Sequence, residues 1–96
     1  MTVYNMESTN GNKVANQFII EDGRRTVFQS YSSTIAVIDR DNKVIEIHPD
    51  WDYSRTTGKY RNMFFDTYGF YRLSSKAGLV EAMNEGNAYG FRIVAK

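Results

Sequence analysis

Three groupings in this 96-residue chain hold side chains able to do chemistry. The first is Glu46-x-His48-x-Asp50. On an unbroken strand these three project from one face, and two carboxylates with an imidazole can hold a divalent ion. Pro49, the only proline, spoils that geometry before the third position. A polar outer strand face accounts for Glu46 and His48 without metal. The second grouping is the carboxylate pair Asp50-x-Asp52. Acid–base catalysis needs such groups in a cleft with their pKa values driven apart, and spacing alone does not supply that. The third gathers Arg55, Lys59 and Arg61 beside Trp51, Tyr53 and Tyr60. Cations among aromatics are the ingredients of single-strand nucleic-acid binding, and Trp and Arg are equally the anchors of protein interfaces. Asp50, Asp52 and Asp66 stand close by, so a solvated helix face with locally balanced charge is the plainer alternative to nucleic acid. There is no cysteine, no Ser-His-Asp order, no zinc motif, and no partner glycine that would make Gly58 part of a phosphate loop. The sequence predicts a non-enzymatic protein without metal or cofactor, with Trp51, Tyr53, Arg55, Lys59 and Arg61 as its partner-binding residues.

These residues need a scaffold. Ser54 is placed to cap a helix through its hydroxyl, and Tyr60, Met63, Phe64, Thr67 and Tyr68 follow at the spacing of one helical face. Arg55, Lys59, Asn62 and Asp66 line another face, and Gly58 is expected to allow a neighbour to approach closely. Upstream, the pattern is that of strands. Thr2–Met6, Val14–Ile20, Arg25–Tyr31, Thr34–Ile38 and Lys43–His48 read as a five-strand meander, with Asp22-Gly23 as a type I′ hairpin turn. In the third strand Thr26, Phe28 and Ser30 share a face. The unbroken apolar run Ile35–Ile38 fits a central strand covered on both sides. Downstream, Ser74 or Ser75 caps a second helix, Lys76–Asn84, whose apolar side is Leu79, Ala82 and Met83; Gly86 ends it, and Ala88–Val94 reads as a sixth strand.

The expected fold is one α+β domain over residues 1–96: a mainly antiparallel sheet of about five or six strands with two short helices packed on one face. Phe18, Phe28, Ile35, Val37, Ile45, Ile47, Tyr60, Phe64, Leu79 and Ile93 are its expected core. Apolar residues on both sides of the sheet predict a homodimer through the uncovered face or an edge strand. A net charge of +1 gives no global attraction to nucleic acid or anionic lipid. No secretory signal and no membrane-length apolar run is visible, so a membrane partner is not expected.

Three segments, Asn12–Phe18, Phe28–Ala36 and Tyr53–Tyr60, carry a resemblance that spans most of residues 12–65 and falls off after Phe65. The chain resembles an uncharacterised domain family of small proteins from phages and prophages of Gram-positive bacteria. That resemblance implies a cytoplasmic location in the infected host. It also implies stoichiometric binding of a host protein, as inhibitors of bacterial defence such as anti-CRISPR proteins do. The alternatives are a nucleic-acid-binding accessory protein and a self-associating structural module.

Overall fold

Alternation of buried and exposed side chains runs through the first half of the chain, and a sheet is what it builds. The computed structural model describes residues Met1–Lys96. Strands β1 (Thr2–Glu7), β2 (Lys13–Asp22), β3 (Arg25–Ser30), β4 (Ser33–Asp39) and β5 (Val44–Ile47) form the antiparallel meander in sequence order. Helix α1 (Arg55–Thr67), a 3-10 turn (Tyr71–Leu73) and helix α2 (Lys76–Glu85) follow, and then strands β6 (Asn87–Ala88) and β7 (Phe91–Ala95). The final sheet order is β1-β2-β3-β4-β5-β7-β6. β7 lies parallel to β5 because the helical segment carries the chain back across the sheet. The architecture is α+β, a mostly antiparallel seven-strand sheet with two helices.

Two turns differ from the sequence reading. Asp22 pairs with Arg25, so the β2–β3 loop is Gly23-Arg24 rather than Asp22-Gly23. Only Gly23 has positive φ, +63°, which is the pattern of a II′ turn with glycine first. The expected single strand Ala88–Val94 is a hairpin. Ala88 pairs with Phe91 around Tyr89-Gly90, which have φ of 56° and 77°, the sign pattern of a type I′ turn. That hairpin supplies the seventh strand.

The apolar run in β4 has a local cause. Phe28 pairs with Ala36 and Gln29 with Thr34, so Ile35 is an extra residue in the ladder. A bulge of this kind lets two consecutive side chains face the same way. Ile35, Ala36 and Ile38 all join the core beneath the helices, and only Val37 belongs to the opposite face. Val37 is nonetheless 2% exposed. Arg25 on β3 reaches Asp39 on β4 (3.3 Å) and Glu46 on β5 (3.6 Å), so its side chain crosses β4 beside Val37. The run is therefore central, as expected, but its second face is covered by an arginine rather than by another layer.

Ser54 caps α1 as predicted, accepting from the Thr57 N–H at 3.1 Å. Ser75 does the same for α2 through the Gly78 N–H, and Gly86 closes α2 at φ +82°. The buried face of α1 is Thr57, Tyr60, Arg61, Phe64 and Phe65, rotated from the expected one. Met63 and Tyr68 are half-buried and Thr67 is exposed. The rotation follows from what packs beside α1: the 3-10 turn with Phe70 against Phe65, and the Trp51–Asp52 loop against Arg61. Phe28 stacks on Phe64 (5.7 Å), and Phe65, Phe70 and Phe91 continue edge-to-face, tying helix to sheet. One cluster of 18 buried apolar residues draws on every strand and both helices, so the chain has one core. Of the expected core only Phe18 is not buried. It lies half-exposed on the uncovered face of the sheet, opposite Asn5 and Gln29.

Gly58 does not mark a close approach. A Cβ there would meet Arg61 at 3.7 Å and Asp52 at 3.9 Å, ordinary contacts. The close approach is at Gly78, where a Cβ would fall 1.9 Å from the Arg72 carbonyl oxygen.

Candidate functional site

The 51–61 stretch forms the start of α1 and the loop that leads into it. Trp51 is half-buried against the core, and its backbone N–H donates to the His48 carbonyl at 3.1 Å. Arg61, expected on the binding surface, is instead interior and 1% exposed. Its guanidinium donates to the Trp51 carbonyl (2.7 Å), to Asp52 (3.3 Å) and to the Asn62 side chain (3.0 Å). It also lies 5.3 Å from the centre of the Trp51 ring. Asp52 holds Lys76 at the start of α2 as well, at 2.6 Å. Lys76, and then Arg61, keep the Asp52 carboxyl below its usual range against the effect of burial. Burial lowers the Arg61 pKa and Asp52 opposes it. These contacts lock the entry loop and the two helix starts together. The reason Arg61 turns inward is its place one residue after Tyr60, on the side of α1 against which the Trp51–Asp52 loop lies.

What remains at the surface is smaller than the sequence implied. Tyr53 is 51% exposed, and Arg55 and Lys59 are exposed. Lys59 leans over the Tyr60 ring at 5.3 Å. Asp52 pairs with Arg61 and Lys76, and neither Arg55 nor Lys59 has a carboxylate partner. The surface is thus two cations, a tyrosine and part of Trp51.

The two acidic groupings separate. Glu46 and His48 contact one another at 2.9 Å on the uncovered sheet face, where Glu46 also meets Arg25. Asp50 instead accepts from Ser33 at 2.8 Å, and Asp52 faces Arg61 and Lys76. Glu46, His48 and Asp50 therefore do not converge, and no cluster of three or more His, Asp or Glu side chains is placed to share a cation.

A cleft that sequence reading missed lies at the other end of α1. It has a volume of about 230 Å³ and is lined by Tyr4 to Glu7 of β1, Ile19 of β2, and Met63, Thr67 and Tyr68. At one end the Tyr4 and Tyr68 hydroxyls are 3.2 Å apart, and both donate to one Glu21 oxygen at 3.2 and 3.1 Å. Burial pushes the Tyr68 phenol well above its usual range, with Tyr4 and Glu21 adding to the effect, so it stays a neutral donor. Arg40 covers the Tyr68 ring at 5.6 Å. Tyr4, Glu21 and Tyr68 are too far apart in sequence for any periodicity to connect them. The only local signal is that Tyr4 and Met6 sit two apart in a strand and so share a face.

Among known families, the model of a family of unknown function (DUF8033) matches residues 1–81. The match runs past Phe65, where the resemblance seen in the sequence falls off, and takes in most of α2. No curated protein and no solved structure matches the chain.

Proposed function

The chain belongs to this family of unknown function, and we propose that it is a non-enzymatic binding protein that engages another protein through the start of α1. The observation that carries this reading is the burial of Arg61. With Arg61 bound inside to Trp51, Asp52 and Asn62, only Arg55 and Lys59 remain as outward cations. Two cations are a small footprint for tracking a phosphate backbone, whereas an exposed tyrosine beside two cations is the composition of a protein-contact patch. Tyr53 supplies contact area at low entropic cost, and Arg55 supplies a directional donor. Given the resemblance to phage and prophage proteins, the partner is a bacterial host protein, a component of host defence among them, met in the host cytoplasm and inhibited or redirected by stoichiometric binding. Self-association through the uncovered sheet face is a separate reading, which rests on half-exposed Phe18, Ile20 and Val27 with exposed Val3. Sedimentation at tens of micromolar tests it.

The deciding experiment pairs a nuclease-treated pull-down from bacterial lysate with a salt titration against labelled single- and double-stranded DNA and RNA. The expected result is a nuclease-resistant protein partner lost in Tyr53→Ala and Lys59→Glu variants whose thermal midpoints are unchanged. Sub-micromolar nucleic-acid binding at about 150 mM salt, with a log–log salt slope near −2 for the two outward cations, would replace this reading with the nucleic-acid one.

A further inference from the structure

We infer that the outer edge of β1 accepts an extended segment of a partner protein as an added strand, with one apolar side chain of that segment seated in the cleft between β1 and α1. This surface is independent of the patch at the start of α1 and lies at the opposite end of that helix.

β1 is the terminal strand of the sheet, so one row of its backbone N–H and C=O groups has no ladder partner. Natural edges are blunted by lysine, proline, brevity or a bulge. β1 has six residues, Thr2-Val3-Tyr4-Asn5-Met6-Glu7, with no lysine and no proline; its ladder with β2 is regular from Thr2 to Asn5 and shifts register only between Asn5 and Glu7. The opposite edge, β6, is two residues long and too short to template another strand. The cleft opens along this same edge, and four of its eight lining residues belong to β1. In an added strand the side chains alternate, and those on the helix side fall next to Tyr4 and Met6, at the mouth of the cleft. A volume of about 230 Å³ holds one large side chain, below the roughly 300–1,000 Å³ of sites for drug-sized ligands. Met6 and Met63 give its walls flexible, polarisable surfaces that adapt to different apolar groups.

Charge selects the occupant. Glu7 lines the cleft and has no ion-pair partner, while six other acids do; Glu21 lies outside the lining, where it accepts from the Tyr4 and Tyr68 hydroxyls and shares a hollow with Arg24 and Arg40. A segment with Lys or Arg flanking its apolar residue answers Glu7. A second copy adding through its own β1 brings another Glu7 and no Lys or Arg. The fitting occupant is therefore a basic, alternating segment of a different protein.

The test uses a fluorescent eight-residue peptide alternating lysine with leucine or valine, titrated into the intact chain. The expected result is a Kd of about 10–100 μM by anisotropy, with new amide-exchange protection confined to Thr2–Glu7. N-methylating alternate peptide amides on its ladder side should weaken binding about tenfold or more, which separates strand addition from a side chain merely resting in a groove. Met63→Trp, which fills the cleft, should cost a similar factor. Val27→Thr on the opposite sheet face should change nothing. Absence of binding up to about 1 mM, protection mapping away from β1, equal binding by a glutamate-alternating peptide, or insensitivity to N-methylation would each overturn the proposal. So would sedimentation showing that β1 is already occupied by a second copy.

Discussion

Arg61 shows how one side chain changes the reading of a surface. It is the largest fully buried side chain in the molecule, and its three acceptors come from Trp51, Asp52 and Asn62. Arg61→Ala should lose about 2–3 kcal/mol of stability, chiefly from lost hydrogen bonds and packing; half-exposed Asp52 keeps Lys76 and is not stranded. Trp51, the only tryptophan, should report the change as red-shifted emission. Arg61→Lys should restore little, because an ammonium cannot serve three acceptors in the guanidinium plane. Arg55→Ala should leave both measurements unchanged. A second prediction concerns pH. The Asn42 side chain and N–H, with Arg25, hold the Asp39 carboxyl below the usual carboxylate range, and Lys76 and Arg61 do the same for Asp52. A depressed folded-state pKa means the contribution is full above the unfolded value, about 3.9, and vanishes as pH falls through the lower folded value. Denaturant midpoints should hold steady from pH 7 to about 5 and then fall. The deficit of Asn42→Ala should shrink as the pH drops below about 3.

At the scale of elements, two helical glycines have opposite roles. Gly58 has room for a methyl group, whose nearest contact would be 3.7 Å away. Gly58→Ala should therefore stabilise α1 by about 0.5–1 kcal/mol through helix propensity alone. Gly78 lies directly against the Arg72 carbonyl, at 1.9 Å from where a Cβ would stand. Arg72 is itself clamped to α2 through Glu81 (2.8 Å) and Glu85 (2.7 Å), so the backbone there resists moving away. Gly78→Ala should destabilise by about 1–3 kcal/mol, as overpacking does. Thermal midpoints of the two variants, measured together, should move in opposite directions. If they moved in the same direction, the packing of α2 over the 3-10 turn would be wrong.

The whole molecule hangs on the contact between α1 and β3. Phe64 is 0% exposed and touches Phe28, Phe65 and Tyr68. Phe64→Ala should cost about 3–5 kcal/mol, measured by urea unfolding. Because a single cluster joins every strand to both helices, fluorescence and circular dichroism should lose structure at one common midpoint. An unchanged midpoint would show that α1 does not cover the sheet through this face. The same single core explains the apolar run in β4 within one chain, through the bulge at Ile35 and the arginine beside Val37, with no second copy required.

Features that depend on neighbours along the chain were legible before any folding. Strand alternation in β3, the caps at Ser54 and Ser75, the end of α2 at Gly86 and the five-strand meander are all set by side chains within a few residues of the backbone they act on. The α+β class and nine of the ten expected core residues followed from those periodicities. The rest came from packing between distant segments. Whether Arg61 faces solvent depends on the Trp51–Asp52 loop closing over it, held from α2 by Lys76, and a helical period cannot see that loop. The second face of β4 depends on Arg25 reaching across two strands. The cleft depends on Tyr4, Glu21 and Tyr68 meeting from three distant segments, where the desolvation of the polar groups is offset by hydrogen bonds that exist only once the sheet and α1 have docked.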